Sequence, residues 1–175
     1  MKVIVCAAVL LAAASSAVAQ ENHSHAAAKP VSVEIKNSQG QSVGTAVLSS
    51  APKGVRIKLD IKDLPAGEHS MHIHQIAKCD PPDFKSAGPH FNPAMSGAHE
   101  DHAHSVPAGD IPNFSLIVGT DGTAKVTVVA PNVTLGNDDH SVFSNGGTAI
   151  VIHASGDGSG AAPARIACGV ITKSE

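Results

Sequence analysis

Hydrophobic and polar residues alternate in several short runs after residue 30. The run Val55–Ile61 has an apolar residue at every second position. Because successive side chains of a β-strand point to opposite faces, this pattern predicts a strand with one buried face. Other alternating or β-rich runs predict strands at 31–35, 45–48, 68–75, 114–118, 124–129, Thr148–His153 and Arg165–Ile171.

Turn sequences and one long segment without periodicity separate these runs. About eight short strands and no amphipathic helix predict an all-β sandwich or barrel. Residues 76–113 are rich in proline and show no sustained pattern, and loops of this length inside compact domains are usually functional. The chain has no Trp or Tyr and four Phe, so the core must be built from Val, Ile, Leu and Ala.

The N-terminal part differs in composition from the rest of the chain. Residues 1–19 combine a basic start, an apolar run and an Ala-Val-Ala ending, which predicts a cleaved secretory signal peptide. Residues 20–30 are polar, contain His23 and His25, and are expected to form a flexible tail. Residues 31–175 then form one domain in a mature chain of 175 − 19 = 156 residues.

The charge balance excludes some classes of partner. Without the predicted signal peptide the chain carries 11 basic residues (12 − 1, for Lys2) and 15 acidic residues, which is a formal charge of −4. This mildly acidic balance gives no sign of a basic patch for nucleic acid. No other apolar run is long enough to span a bilayer, so we expect neither nucleic acid nor a membrane as a partner of the mature chain.

Two cysteines remain after the predicted cleavage, Cys79 and Cys168. In an oxidising compartment, two cysteines in one domain most simply form one disulfide. It would close a loop of 168 − 79 = 89 residues, for which the chain-entropy relation gives about 4–5 kcal/mol. The alternative, two cysteine metal ligands, has less support because neither belongs to a Cys-x-x-Cys pair.

Histidines at particular positions are the strongest chemical signal in the sequence. His72 and His74 share one face of a predicted strand, His90 follows a Gly-Pro pair, and His153 ends another predicted strand. Further histidines and acidic residues lie in the irregular segments, at His99, His102, His104, Asp110 and Asp157. Imidazole suits zinc and copper, and carboxylate is a common companion, so the pattern predicts a metal site.

The motifs around these residues resemble the copper–zinc superoxide dismutases and follow that family's order over residues 67–171. They are His-Ile-His at 72–74, Gly-Pro-His-Phe-Asn-Pro at 88–93, Gly-Asp-Ile-Pro-Asn at 109–113, Ala-Ile-Val-Ile-His at 149–153 and Arg-Ile-Ala-Cys-Gly-Val-Ile at 165–171. The resemblance implies an eight-stranded Greek-key β-sandwich or barrel, immunoglobulin-like, with long metal-binding loops. It also implies copper and zinc ions as cofactors and superoxide as substrate.

The resemblance assigns metal-binding roles residue by residue. The implied copper ligands are His72, His74, His90 and His153. The implied zinc ligands are His90, which would bridge the two metals as an imidazolate, His99, His104 and Asp110. Asp157 matches an outer carboxylate that links a copper histidine to a zinc histidine.

The implied reaction converts two superoxide ions and two protons into dioxygen and hydrogen peroxide. Cu(II) would oxidise one superoxide and Cu(I) would reduce a second, while zinc holds the bridging ring without changing its oxidation state. His90 would deliver a proton to the product, and Arg165 would hold the anion with a permanently charged guanidinium. The resemblance also pairs Cys79 with Cys168 as the internal disulfide of the subunit.

The zinc loop departs from the family's pattern. The third zinc histidine of the family usually lies three residues before the aspartate, and Pro107 stands at that position. His104 is the predicted replacement because it keeps the longer separation from His99, and His102 is the alternative. A zinc site that is weakly occupied or empty is a third interpretation.

Two other departures concern packing and charge. Ser70 and Met71 precede the first copper histidine, where the family has glycine and an aromatic or apolar residue, so we expect local repacking by the adaptable methionine. The segment 154–164 has no Lys or Glu, although family members often carry steering charges there. Attraction of superoxide should then rest on Arg165 and on lysines such as Lys78 or Lys85, with a modest fall in rate as ionic strength rises.

Two functions fit the sequence. The first is an exported superoxide dismutase, in the periplasm of a bacterium or in the extracellular space. The alternative is a non-enzymatic copper or zinc carrier on the same fold, which has less support because all the copper candidates and Arg165 are present. A homodimer is compatible with the sequence, which shows no legible interface.

Overall fold

The computed structural model describes residues 29–96, 106–155 and 163–173. The strands in these ranges are β1 (Val31–Asn37), β2 (Ser42–Ser50), β3 (Val55–Ile61), β4 (Gly67–His69), β5 (Met71–His74), β6 (Leu116–Val118), β7 (Ala124–Ala130), β8 (Thr148–His153) and β9 (Arg165–Ile171). Short 3-10 helices lie at Lys85–Ala87, Pro93–Ser96 and Ser144–Gly146. None of the described helices is long and apolar enough to cross a membrane.

Seven of the strands form one antiparallel sheet in the order β5-β8-β9-β1-β2-β3-β7. The remaining two, β4 and β6, pair antiparallel with each other. The alternation that the sequence predicts is clear in β3, where the odd-numbered residues from Val55 to Ile61 are buried and the even-numbered ones are exposed. The predicted all-β class is confirmed.

The predicted strand at 68–75 is in fact two strands with different partners. β4 pairs with β6, whereas β5 pairs with β8. The change of partner occurs at Ser70, whose carbonyl accepts a hydrogen bond from the His153 N–H at 2.9 Å. Strands that pass from one sheet to another form the corners of β-sandwiches. His69, His72 and His74 lie on the two strands that meet at this corner.

The core is aliphatic, as the composition predicts, except where two phenylalanines enter it. Ile, Leu and Val from the inner faces of the strands make up most of the buried cluster, and Phe91 is packed within it. Phe84 belongs to a second, smaller cluster with Ala149 and Val151 on the other face of β8. All six residues of β8 are therefore buried, which explains why its centre, residues 149–152, is apolar and does not alternate.

Candidate metal centre

Four histidine rings meet beside the corner between β4 and β5. His72 and His74 come from β5, His153 ends β8, and His90 comes from the loop that follows β5. One ring nitrogen from each histidine lies within 4.8 Å of the corresponding atoms of the others. Residues that are up to 81 positions apart in sequence (153 − 72) are thus brought into one cluster able to bind a metal ion.

The surroundings of the rings fix which nitrogen faces the cluster. His74 Nδ1 donates a hydrogen bond to the Gly88 carbonyl at 2.9 Å, and His153 Nδ1 faces the Pro163 carbonyl at 3.3 Å. Their Nε2 atoms lie 3.3 Å from each other. Carbonyls on the outer nitrogens orient the rings and leave the inner nitrogens as metal ligands.

His72 provides a further indication that the cluster suits a metal. Its Nδ1 atom is buried and has no hydrogen-bond partner in the described structure. A buried polar atom without a partner costs free energy, and a metal ion at the centre of the cluster would satisfy it. The donor set of imidazole nitrogens is one that copper and zinc accept, so the residues present fit a copper ion.

Burial keeps these rings neutral near pH 7. Burial, with a contribution from His90, lowers the pKa of His72 to about 4. Burial also lowers the pKa of His74 to about 3 and holds the pKa of His153 below its usual value. Because a metal binds only the neutral imidazole, these shifts keep the ligands available well below pH 7.

His90 faces the zinc side of the predicted centre. Its Nδ1 atom lies 2.6 Å from Asp110 Oδ1, and both side chains are about one-third exposed. The Asp110 N–H donates to the Pro107 carbonyl at 3.1 Å. Pro107 therefore holds the turn that places Asp110 and supplies no ligand. The other predicted zinc-side residues lie outside the described residues: His99, His102, His104 and Asp157.

Backbone hydrogen bonds attach both metal-loop segments to the edge of β5. The Ile73 N–H donates to the Gly109 carbonyl at 2.9 Å, and the Phe91 N–H donates to the Ile73 carbonyl at 2.8 Å. A Cβ atom at Gly109 would lie 2.1 Å from the Ile73 carbonyl oxygen, so only glycine allows this approach. This contact fixes the neighbouring Asp110 and His90 beside each other.

Arg165, from β9, reaches across to the loop at 84–88. Its Nη1 donates to the Phe84 carbonyl at 2.7 Å and its Nη2 to the Gly88 carbonyl at 2.8 Å. The Gly88 carbonyl thus accepts from Arg165 and also from His74. A disulfide between Cys79 and Cys168, with Cα atoms 5.7 Å apart, ties the start of the same loop to β9. The predicted disulfide is confirmed.

Comparison with known proteins identifies the family of this arrangement. Residues 42–171 match the family model of copper/zinc superoxide dismutase. The chain belongs to the copper/zinc superoxide dismutase family. Members of this family are oxidoreductases that use copper and zinc, so the expected family and cofactors are confirmed.

Relatives of known name agree with this family over most of the chain. The chain is 42% identical to superoxide dismutase [Cu-Zn] 1 of Aquifex aeolicus (strain VF5), over 90% of this chain and 92% of that one. Among solved structures, a SOD-like protein from Bacillus subtilis matches with a TM-score of 0.67 and 31% identity, covering 79% of this chain and 96% of its own. The Cu/Zn superoxide dismutase from Brucella abortus matches with a TM-score of 0.61 and 28% identity, covering 82% and 99%.

His69 is a residue of this copper/zinc superoxide dismutase-family site that the sequence did not single out. It is 4% exposed, and its Nδ1 contacts the His153 carbonyl at 3.0 Å while its Nε2 contacts the Pro65 carbonyl at 2.8 Å. The ring therefore joins the backbone of a predicted copper ligand to the turn before β4. The alternating pattern does indicate its burial, because His69 lies two and four positions before the apolar Met71 and Ile73, which are also buried.

One of the predicted steering lysines, Lys85, is paired with a neighbouring aspartate. Lys85 Nζ lies 2.8 Å from Asp83 Oδ2, with both side chains more than half exposed, and this pairing lowers the pKa of Asp83. The aspartate cancels part of the field of Lys85 at a distance. We expect the rate to depend only slightly on ionic strength, and a steep fall between low and physiological salt would contradict this.

Gly88 offers a test of how the family site is held. Its backbone has φ 73° and ψ −158°, and an added Cβ would lie 2.9 Å from Ile76 Cδ1. Since L-residues rarely adopt this conformation, Gly88→Ala should destabilise the protein by about 1–3 kcal/mol. The substitution should also turn the residue 88 carbonyl away from His74 and Arg165. Spectra of the bound copper would report the change at His74, and the affinity for azide, a small anion, would report the change at Arg165. Gly146→Ala is the matched control, because φ there is 89° and no atom lies within 4 Å of the added Cβ.

The lowered histidine pKa values predict an acid-sensitive metal-free form. In the unfolded chain these histidines titrate near 6.5, whereas folded His72 and His74 titrate near 4 and 3. As pH falls below about 6.5 the unfolded state binds more protons than the folded state, so stability is lost progressively towards pH 3–4. Urea midpoints of the metal-free protein at pH 7.5, 6, 5 and 4 should fall in that order. A midpoint independent of pH between 6.5 and 4.5 would contradict the buried, neutral rings.

Proposed function

We propose that this protein is an exported superoxide dismutase that converts two superoxide ions and two protons into dioxygen and hydrogen peroxide. The observation that carries the proposal is the four-histidine cluster, in which inner nitrogens converge while carbonyls hold the outer ones. The half-buried guanidinium of Arg165 is bonded to the same Gly88 carbonyl as His74. Family membership supports the activity.

The residues of the site have separate roles in this proposal. His72, His74, His90 and His153 would hold copper, which when bound supplies the electron exchange with superoxide. Arg165 uses two of its N–H groups on backbone carbonyls, and its remaining donors would bind the small anion at a fixed position.

His90 would move the proton that the product needs. Its Nδ1 atom lies 2.6 Å from Asp110 Oδ1. Nε2 is therefore the ring nitrogen that would accept a proton and release it to the departing product. Asp110 fixes the orientation of the ring during this exchange. The rate should therefore fall in His90→Ala even when the protein is reloaded with copper.

The zinc side of the proposal uses His90, His99, Asp110 and His104, with His102 as the alternative to His104. Pro107 occupies a turn and its carbonyl accepts from the Asp110 N–H, so a third zinc histidine would come from elsewhere in the loop. The copper-to-zinc ratio of purified wild type, His102→Ala and His104→Ala tests the choice. Loss of zinc in His104→Ala alone supports His104 as the ligand, and loss in His102→Ala alone assigns His102 instead. Unchanged zinc in both variants overturns both assignments.

Export is proposed from the N-terminal sequence and from the disulfide. Residues 1–19 carry the signal pattern, and the disulfide between Cys79 and Cys168 suits an oxidising compartment such as a bacterial periplasm. N-terminal sequencing of the protein from a periplasmic extract should begin at Gln20. Recovery of the full-length chain in the cytoplasm would contradict this.

A non-enzymatic copper or zinc carrier is the alternative function on the same site. One experiment separates the two: metal content and superoxide consumption are measured together on the purified mature chain. Copper-dependent consumption of superoxide at one copper per chain supports the enzyme. Bound copper without turnover overturns it and favours the carrier.

A further inference from the structure

Unpaired basic side chains are concentrated on β3 and its two ends. Lys53 precedes the strand, Arg56 and Lys58 lie within it, and Lys62 follows it. All four are exposed, and none of them forms an ion pair within the described residues. We refer to these four residues as the β3 basic row.

The register of the sheet leaves the β3 basic row accessible along its length. Arg56 lies between Ser49 of β2 and Val129 of β7, and Lys58 lies between Val47 and Thr127. These neighbours are short and uncharged. Arg56, Lys58 and Lys62 have even numbers and so point to the outer face, with about 6.6–7 Å between successive positions of that face.

The acidic residues within the strands β1, β2, β3 and β7 are paired with lysines outside the row. Asp60, the one acidic residue of β3, pairs with Lys125 at 2.5 Å, and Glu34 of β1 pairs with Lys36 at 3.2 Å. The row therefore keeps its own positive charge, although the whole chain has a formal charge of −3. The overall charge does not reveal this patch, and the structure adds that the nearby acidic residues Asp60 and Glu34 are paired with other lysines.

The strand order separates the row from the histidine cluster. β5 is one edge strand of the seven-stranded sheet, and β3 lies next to the opposite edge strand, β7. A partner bound along β3 would leave the histidines and Arg165 accessible.

We propose that the β3 basic row binds a linear anionic polysaccharide. A row of cations along one strand fits the regularly spaced carboxylates or sulfates of an extended chain, and Arg56 can bind such a group with two parallel hydrogen bonds. Other polyanions fit less well. The chain has no Trp or Tyr to stack unpaired bases, and duplex binding engages more phosphates than four cations can reach. Val129 is the one exposed large apolar side chain on the described strands β1, β2, β3 and β7, which is too little to enter a bilayer.

Binding to heparin and polygalacturonate, measured by titration at low and physiological salt, tests the proposal. Wild type should bind both polymers, with affinity that falls as salt rises, and the triple substitution Arg56→Ser, Lys58→Ser, Lys62→Ser should weaken binding by about fivefold for each removed cation. The matched control Lys29→Ser, Lys78→Ser, Lys173→Ser removes the same charge away from β3 and should bind nearly as wild type does. Asp60→Thr should bind more tightly, because it removes a negative charge from β3 and leaves Lys125 unpaired.

Three results would overturn the proposal. They are equal weakening in the triple variant and in its control, absence of polymer binding at low salt, and stronger binding to phosphatidylglycerol vesicles or duplex DNA than to either polysaccharide. Unfolding midpoints of all variants verify that the exposed substitutions leave the fold intact. The proposal does not depend on the proposed enzymatic function, since superoxide consumption should be unchanged in the triple variant and polymer binding should not require metal.

Discussion

His153→Ala is expected to abolish copper-dependent superoxide consumption. His153 is 7% exposed, and its ring lies within 5.1 Å of the His72 ring centroid and 5.4 Å of that of His74. Altering only an outer partner of a metal ligand costs about 10–100-fold in affinity or activity, so removal of the ligand itself should cost more than about 100-fold. Copper content by atomic spectroscopy and the rate per bound copper should both fall.

The control for this variant is His140→Ala. His140 is exposed, and its Nδ1 donates to the Asn132 carbonyl at 2.7 Å in a loop outside the cluster. Copper content and activity should be retained there. If His153→Ala kept one tightly bound copper and full activity, while its unfolding midpoint showed a folded protein, His153 would not be a ligand.

Removal of the disulfide is expected to have the largest effect on stability. Cys79→Ala with Cys168→Ala opens a loop whose ends are separated by 89 positions, for which the chain-entropy relation gives about 4–5 kcal/mol. Cys168 is buried beside Phe84, Ala87 and Val151, so alanine adds a small packing loss. The free energy of unfolding, measured in urea without reductant, should fall by this amount.

The double cysteine variant should also weaken anion binding. The loop that Cys79 anchors carries the Phe84 and Gly88 carbonyls that hold Arg165, and a loosened loop holds the guanidinium less firmly. Reductant should reproduce the loss in wild type and should have no effect on the variant. A change of less than about 1 kcal/mol in unfolding free energy would contradict the entropic account.

Regular strands could be read from the sequence because their side chains alternate or are β-branched. Val55–Ile61, Thr148–His153 and Arg165–Ile171 have the same bounds in the structure as in the prediction. The strand predicted at 45–48 extends over Ser42–Ser50, because pairing on both sides with β1 and β3 orders its polar ends. Local pattern therefore predicts a strand's centre better than its ends.

The division of the histidine strand could not be predicted locally. Nothing in the side chains around Ser70 indicates that β4 pairs with β6 while β5 pairs with β8, since partner choice depends on residues about 50–80 positions away. The histidines that gather at the corner could be proposed from their types and from the family's motifs. The zinc loop lies outside the described residues, so its predicted ligands stay predictions.

Backbone groups in the site left no trace in the sequence pattern. The Gly88 carbonyl accepts from both His74 and Arg165, but a carbonyl belongs to every residue and carries no compositional signal. The same holds for the Pro65 carbonyl that His69 contacts. Such contacts become visible only once the chain is folded.

The attachment of the metal loops to β5 has a consequence for solubility. β5 is an edge strand of the sheet, and an uncovered edge offers N–H and C=O groups on which another chain can add a strand. Here the Ile73 N–H and C=O are already occupied by Gly109 and Phe91. The segments that carry His90 and Asp110 therefore also protect the β5 edge from pairing with another molecule. Any condition that detaches them exposes this edge.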